Sequence, residues 1–278
     1  MWPVGAVEPE IVEYYERGRE AGRLAGEFSS GPLELGRTQE LILRHLPPPP
    51  LEILDVGGGP GVYAWLAARG DRVRLVDPVA LHVEQAQARD SRISASIGDA
   101  RQLDTPDTSV DVLLLLGPLY HLTSQEDRLR ALGEAYRVLR PGGWLFAAAM
   151  SRWAALLDLL VRLDRFHEAE VAETVRAALR DGVFRGHRPG LFTTAYLHRP
   201  ADLADEVAYA GFTDPFIYNI EGPGFLVTDF AERWADPAGQ ETLLEAARLV
   251  ETEADLLGAS SHLLAVGQRP RGTGGPAG

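Results

Sequence analysis

Apolar and polar positions alternate differently in successive parts of the chain. Over residues 8–28, Tyr14, Tyr15, Leu24 and Phe28 recur at roughly helical spacing among mixed charges, before a turn at Ser29-Ser30-Gly31-Pro32. Residues 33–46 predict a second helix, ended by the prolines at 47–50, which lack the amide that helix requires. The pattern then switches to short apolar runs. Residues 51–56 predict a strand that ends in glycines, with a helix over 60–69. A second strand over 72–76 precedes a helix over 79–90, and a third covers 93–97. Residues 110–116 are almost continuously apolar, as in a strand buried on both faces. A helix over 125–139 stops at Pro141-Gly142-Gly143, and 144–150 is a fifth strand. Strands alternating with helices predict an open, mostly parallel α/β sheet with right-handed crossovers.

The second half is less regular. Residues 152–182 are helical and amphipathic, and 186–196 are irregular. A helix over 200–210, a strand over 212–220, a helix over 237–257 and a strand over 262–266 follow, which brings the expected sheet to about seven strands. The helical stretch after the fifth strand exceeds what a crossover needs, so it reads as an insertion covering the strand ends. The expected organisation is an N-terminal helical segment over 1–46, a core over 47–151, the insertion over 152–198, the rest of the sheet over 199–268, and a disordered Gly/Pro-rich tail over 269–278.

Composition narrows the function. The chain has 278 residues, 27 basic against 40 acidic, for a formal net charge of −13. Every base is Arg, and Cys is absent. Such acidity disfavours nucleic acid and anionic membranes as partners. Zero Cys excludes disulfides, thiol nucleophiles and iron–sulfur clusters. No apolar run reaches the roughly 18 residues of a membrane span, and the N-terminus lacks a secretory pattern. A cytoplasmic protein is the expectation. The seven His residues show no metal-ligand spacing, so no metal is expected.

The candidate chemistry lies at the strand ends, where open α/β sheets bind ligands. Asp55-Val56-Gly57-Gly58-Gly59-Pro60-Gly61 closes the first strand, and its glycines let the backbone turn tightly and approach a ligand. A simple strand–helix turn is the alternative reading. Asp77 ends the second strand, placed to accept from ribose hydroxyls, and Asp99-Ala100 ends the third, placed for an adenine amine and ring. A nicotinamide site would share the glycines and Asp77 but wants a third glycine where Val62 stands, and it leaves Asp99 unexplained.

These segments resemble the class I S-adenosylmethionine (SAM)-dependent methyltransferases, in the small-molecule branch typified by ubiquinone/menaquinone biosynthesis. Residues 53–61 resemble the first motif, Leu75-Val76-Asp77 the second and Gly98-Asp99-Ala100 the third. Asp111-Val112-Leu113-Leu114 resembles the fourth-strand motif, and residues 137–143 resemble the stretch before the fifth strand. The resemblance implies a Rossmann-like seven-stranded sheet with an antiparallel last strand, SAM as cofactor, and a small-molecule methyl acceptor. It implies that Gly57, Gly58 and Gly59 meet the methionine part of SAM, and that Asp77 with Pro78 holds the ribose. Asp99 and Ala100 then hold the adenine, and Leu116 and Gly117 run beside the sulfonium. Asp55 either orients the glycine loop, meets the amino group through water, or is a structural cap. A SAM-binding protein that does not methylate remains an alternative.

For the transfer itself, His121 is a candidate base and Tyr120 a candidate to orient the acceptor, with helix packing as the alternative. The N-terminal helices parallel lids of that superfamily, so Tyr15 and Arg23 are candidates to contact SAM, Arg23 at its carboxylate, among the neighbouring Arg19 and Arg37. Tyr14, Tyr196 and His198 are candidate substrate contacts, with His198 capping the next helix as the alternative. The insertion and the aromatic segment near 225–234 are candidate homodimer surfaces.

Overall fold

A computed structural model of the chain describes residues 9–18, 22–23, 30–186 and 190–271. In its central sheet, β1 (Glu52–Val56) pairs in parallel with β2 (Arg72–Asp77) and β4 (Val110–Leu115). β3 (Ser94–Ile97) extends the sheet beyond β2, and β5 (Leu139–Ser151) beyond β4, both in parallel. β9 (His262–Gln268) runs antiparallel to β5, and β8 (Thr213–Asn219) antiparallel to β9. These strands form the seven-stranded, mostly parallel sheet expected from the sequence. Among the described residues the total is nine, because a hairpin in the insertion, β6 (Val183–Phe184) and β7 (Ala195–His198), joins β5 at Met150 and Ser151. The chain steps outward from β1 to β3 and then restarts at β4 on the other side of β1. Strand order therefore reverses between β1 and β4, which opens a crevice at their carboxyl ends.

Both faces of the sheet are covered, and the period of two decides what covers them. Leu113 and Leu115 of β4 face one core with Leu54, Leu145 and Leu263, under Leu132 of the helix Gln125–Val138 and Leu203 of the helix Pro200–Tyr209. Val112 and Leu114 face the other, with Ile53, Phe146 and Leu264 against Leu41 and Ile42 of the helix Gly31–His45. This double burial is why β4 has no polar face. The insertion has a small core of its own, built from Leu159, Val171, Val175, Phe184 and Leu197. Among the described residues no helix is long and apolar enough to cross a membrane.

Several boundaries differ from the sequence reading. The helix expected over 60–69 is a turn followed by a 3-10 helix, Ala64–Arg69, because Gly61 at φ 75° cannot belong to a right-handed helix. The stop at Pro141-Gly142-Gly143 is a bulge within β5, which already pairs with β4 at Leu139. The helical stretch 152–182 divides into Ala154–Leu157, a π-helical turn to Arg162, and Ala169–Asp181, with Asp164 at φ 47° in the break. The helix expected to reach 257 ends at Val250. At the N-terminus, Pro9–Glu16 is helical; Arg19, Leu24 and Phe28 lie outside the described residues. The tail past Arg271 also lies outside them, but Arg269 is bound, its guanidinium donating to the carbonyls of Tyr136 and Leu139. Of the aromatic residues near 225–234, Phe225 and Phe230 are buried, and the half-buried Trp234 stacks on Phe230.

Candidate functional site

The crevice at the β1/β4 switch is a single cavity enclosing about 1260 Å³, its open mouth included. Four strand ends wall it. Gly57, Gly58 and Gly59 follow β1, Asp77 ends β2 and Pro78 follows it, Gly98 to Arg101 follow β3, and Leu116 and Gly117 follow β4. Ile11 and Tyr15 of the helix Pro9–Glu16, together with Arg23 and Glu34, close it from the N-terminal side.

Glycine is required in the loop for steric reasons. Gly57 and Gly59 have φ of 70° and 54°, in the left-handed region. A Cβ on Gly57 would lie 2.6 Å from the Pro118 ring, and one on Gly58 would lie 2.5 Å from the Asp55 carboxyl. Removing these carbons lets the ends of β1 and β4 close on each other while their backbone faces the cavity.

Asp77 organises this wall. Its carboxylate accepts from Gly59 N and Val79 N, each at 2.9 Å, so it ties the glycine loop to the turn after β2. His82 Nδ1 lies 3.1 Å from the same carboxylate. With Nδ1 donating, Nε2 becomes an acceptor; it is buried, lacks a hydrogen-bond partner, and belongs to a residue lining the cavity. An orphaned acceptor beside a carboxylate fits a ligand that brings hydroxyl groups. Asp99 holds Arg101 by a bidentate ion pair, with 2.6 Å from Nη2 and 3.0 Å from Nε, and Arg101 Nη1 reaches Asp127 at 3.2 Å. The third strand end therefore presents a carboxylate–guanidinium pair, not the lone carboxylate expected.

Asp55 lies behind the loop and not in the cavity wall. It is wholly buried, and neither carboxylate oxygen has a hydrogen-bond partner. Burial, reinforced by the nearby Asp77 charge, raises its pKa to about 7. Among the described residues Asp55 thus makes no side-chain hydrogen bond to the loop; its carboxyl occupies the space that a Cβ on Gly58 would need.

His121 and Tyr120 end the short helix Pro118–His121 on the cavity wall. The Tyr15 hydroxyl lies 2.8 Å from His121 Nε2, and the Tyr15 ring stands edge-on to both His82 and His121. Tyr14 packs on Tyr15 and Phe192 outside the cavity lining. Tyr196 and His198 are not brought to the cavity either. Tyr196 lies 3.6 Å under the Arg128 guanidinium, and the fully buried His198 meets Glu206 at 3.2 Å. Their assignment as substrate contacts is corrected, because strand β7 turns them toward a buried ion pair, Arg128 with Glu206, instead. Burial lowers the His198 pKa even against that carboxylate.

The sequence reading also missed Glu34 and His262. Glu34 faces the cavity and pairs with Arg23, while behind it His262 Nδ1 lies 2.5 Å from Glu221 and 3.7 Å from Glu34. Burial opposes charge on His262, but Glu34 and Glu221 outweigh it and raise its pKa to about 9. The ligand atoms of Glu34, Glu221 and His262 lie within 4.8 Å of one another, close enough for a metal ion. The imidazolium proton and the Arg23 guanidinium already neutralise that position. No single-segment motif announces this cluster, since its members are 187 and 41 residues apart. His82 lies five residues after Asp77, in the first turn of the helix Ala80–Arg89.

Residues 53–143 match a family described as a methyltransferase domain. Over 93 residues the chain is 40% identical to a ubiquinone/menaquinone biosynthesis C-methyltransferase of Rubrivivax gelatinosus, covering 33% of this chain and 36% of that protein. The chain spans 36% to 56% of the length of such curated relatives. Among solved structures, a SAM-dependent methyltransferase of Thermotoga maritima, described as a possible histamine N-methyltransferase, superposes with a TM-score of 0.57 at 18% identity, over 93% of this chain and 98% of its own. The cyclase SpnF superposes with a TM-score of 0.60 at 20% identity, over 97% and 98%. At these identities the structural likeness is one of fold.

Proposed function

We propose that residues 53–143, which match a methyltransferase domain, are a class I SAM-dependent methyltransferase domain, and that the chain transfers a methyl group from SAM to a small-molecule acceptor. The observation that carries this reading is the continuity of the cavity wall. Gly57–Gly59, Asp77–Pro78, Asp99–Ala100 and Leu116–Gly117 line one crevice at the point where strand order reverses.

The residues present fit SAM. Asp77 and the orphaned His82 Nε2 would hold ribose hydroxyls, and Asp99 with Ala100 would meet the adenine. Gly57–Gly59 would take the methionine side, with Leu116 and Gly117 beside the sulfonium. When bound, SAM supplies a methyl group on a good leaving group. The chain's own contribution is therefore alignment and exclusion of water, which can be worth roughly 7–11 kcal/mol. The helix Pro9–Glu16 contributes to exclusion by placing Ile11 and Tyr15 over the crevice. The hydrogen-bonded Tyr15 and His121 offer a route for the proton of an acceptor hydroxyl, and Tyr120 flanks it.

Titration calorimetry with SAM and S-adenosylhomocysteine tests the cofactor, with micromolar to sub-millimolar binding expected. Asp77→Ala should weaken binding at least about tenfold, because it frees both the sugar contact and the glycine loop. Methyl-labelled SAM offered to a metabolite extract tests the transfer. A second reading is a SAM-binding protein that does not methylate; one protein of like fold is described as a cyclase. Tight cofactor binding without labelled product across broad acceptor libraries would decide for it.

A further inference from the structure

Among the described residues, none of the insertion over 152–198 lines the cavity. Two residues of its hairpin nevertheless stand on one ion pair. Tyr196 and His198 are two apart on β7, so they leave the strand on the same side. There they meet Arg128 of the helix Gln125–Val138 and Glu206 of the helix Pro200–Tyr209, both buried. The Tyr196 ring carries the Arg128 guanidinium over its face at 3.6 Å, and His198 Nε2 lies 3.2 Å from Glu206. The ring has little room to move, since even a Cβ on Gly182 would lie 2.6 Å from it.

The edge of the same guanidinium reaches the crevice. Nε and Nη2 donate to Glu206 at 3.0 and 2.7 Å, while Nη1 donates to the carbonyls of Leu122 and Thr123, each at 3.0 Å. These two residues follow the helix Pro118–His121 directly and line the cavity with Tyr120 and His121. Carbonyls at a helix end have no amide partner within the helix, so a buried donor fixes where they stand. An aromatic face suits the open side of that donor. It attracts the cation without drawing N–H groups away from the carbonyls, as a carboxylate in its place would do.

We propose that Tyr196 is a positioning residue for the crevice: from the insertion it fixes the Arg128 guanidinium, and Arg128 in turn sets the wall at Leu122–Thr123 next to His121. Resting on the SAM reading above, this wall bounds the space that the cofactor occupies. Glu206, backed by His198, keeps the guanidinium from turning away from the two carbonyls. The insertion thus acts on the site through a buried brace, and docking of the hairpin is coupled to the shape of the cavity.

Hydrogen exchange on the full chain, read beside calorimetry with S-adenosylhomocysteine, tests this. Tyr196→Leu keeps an apolar side chain and removes the aromatic face. Exchange over residues 119–124 should quicken at least about fivefold with β1 and β2 unchanged, and affinity should fall at least about threefold. Tyr196→Phe keeps the face and should match the parent in both measurements. A purely structural tyrosine would quicken exchange within the hairpin alone. The proposal is overturned if Tyr196→Leu leaves 119–124 as protected as in the parent, or if Tyr196→Phe is as impaired as Tyr196→Leu. Should the leucine variant not fold, Arg128→Lys makes the same test, because a point charge cannot bridge the carboxylate and both carbonyls. Parent-like exchange over 119–124 in that variant would equally overturn the proposal. Failure of the parent to bind S-adenosylhomocysteine would count against the SAM reading, whereas the exchange pattern judges the brace by itself.

Discussion

Asp55 carries a buried carboxyl group that, among the described residues, accepts and donates no hydrogen bond. Asp55 lies behind the glycine loop, with its pKa raised from 3.8 to about 7 by burial and then by Asp77. A folded-state pKa above the unfolded value means that the native protein binds the extra proton. The stability this confers is present below pH 3.8 and is lost as pH rises through 7. Asp55→Asn should therefore melt higher than the parent at pH 8, with the gap shrinking toward pH 5; equal melting at pH 8 would show that Asp55 is solvated or paired. Gly58 depends on the same neighbour. Gly58→Ala would drive a methyl to within 2.5 Å of the Asp55 carboxyl and 2.6 Å of Leu75, so it should both destabilise the fold and weaken nucleoside binding.

Two elements dock onto the sheet through identifiable contacts. The helix Pro9–Glu16 is tied down by Tyr15 to His121 and by Glu10, which accepts from Thr193 and Thr194 at 3.3 and 3.1 Å. Tyr15→Phe keeps the ring contacts and removes the hydroxyl. Faster hydrogen exchange over 9–16, with the core strands unchanged, is the expected result. The hairpin β6–β7 is fastened more firmly. Arg128 spans three elements: it pairs with Glu206, lies over the Tyr196 ring at 3.6 Å, and donates to the carbonyls of Leu122 and Thr123 on the cavity wall. Arg128→Met leaves Glu206 buried with only His198 beside it, which should cost about 3–5 kcal/mol in denaturant unfolding. Because Leu122 and Thr123 line the cavity, the same change should also loosen nucleoside binding.

Across the whole molecule, the buried pairs set the pH range of stability. Glu206 is held at about 2 despite burial, by His198 and Arg128, so its contribution is present above pH 4.5 and fades as pH falls toward 2. His262 has the opposite sense. Its pKa is raised from 6.5 to about 9, so its contribution is full below pH 6.5 and is lost as pH climbs through 9, a difference on the order of 3 kcal/mol. With Asp55 adding to the alkaline loss, thermal stability should peak in mildly acidic solution and decline from pH 6.5 to 9. A melting temperature still rising toward pH 9 would contradict the Glu34–His262–Glu221 arrangement.

The linear sequence determined what depends on local period and chain order. The two-faced burial of β4 shows as an apolar run interrupted at Asp111 alone. The glycines at 57–59 follow β1, Asp77 is the last residue of β2, and Asp99 stands two residues past β3, so all fall at strand ends in the linear order. Chemistry assembled from distant segments was not legible, and neither was the direction in which a side chain leaves its strand. Tyr196 and His198 stand on a strand as expected, but that strand pairs with the end of β5 and turns them onto Arg128 and Glu206. Glu34 and His262, 228 residues apart, become neighbours only when β9 inserts beside β5 and the helix Gly31–His45 packs over the sheet. Local spacing fixes which residues end a strand; which charges face one another is a matter of long-range packing, and only the folded chain decides it.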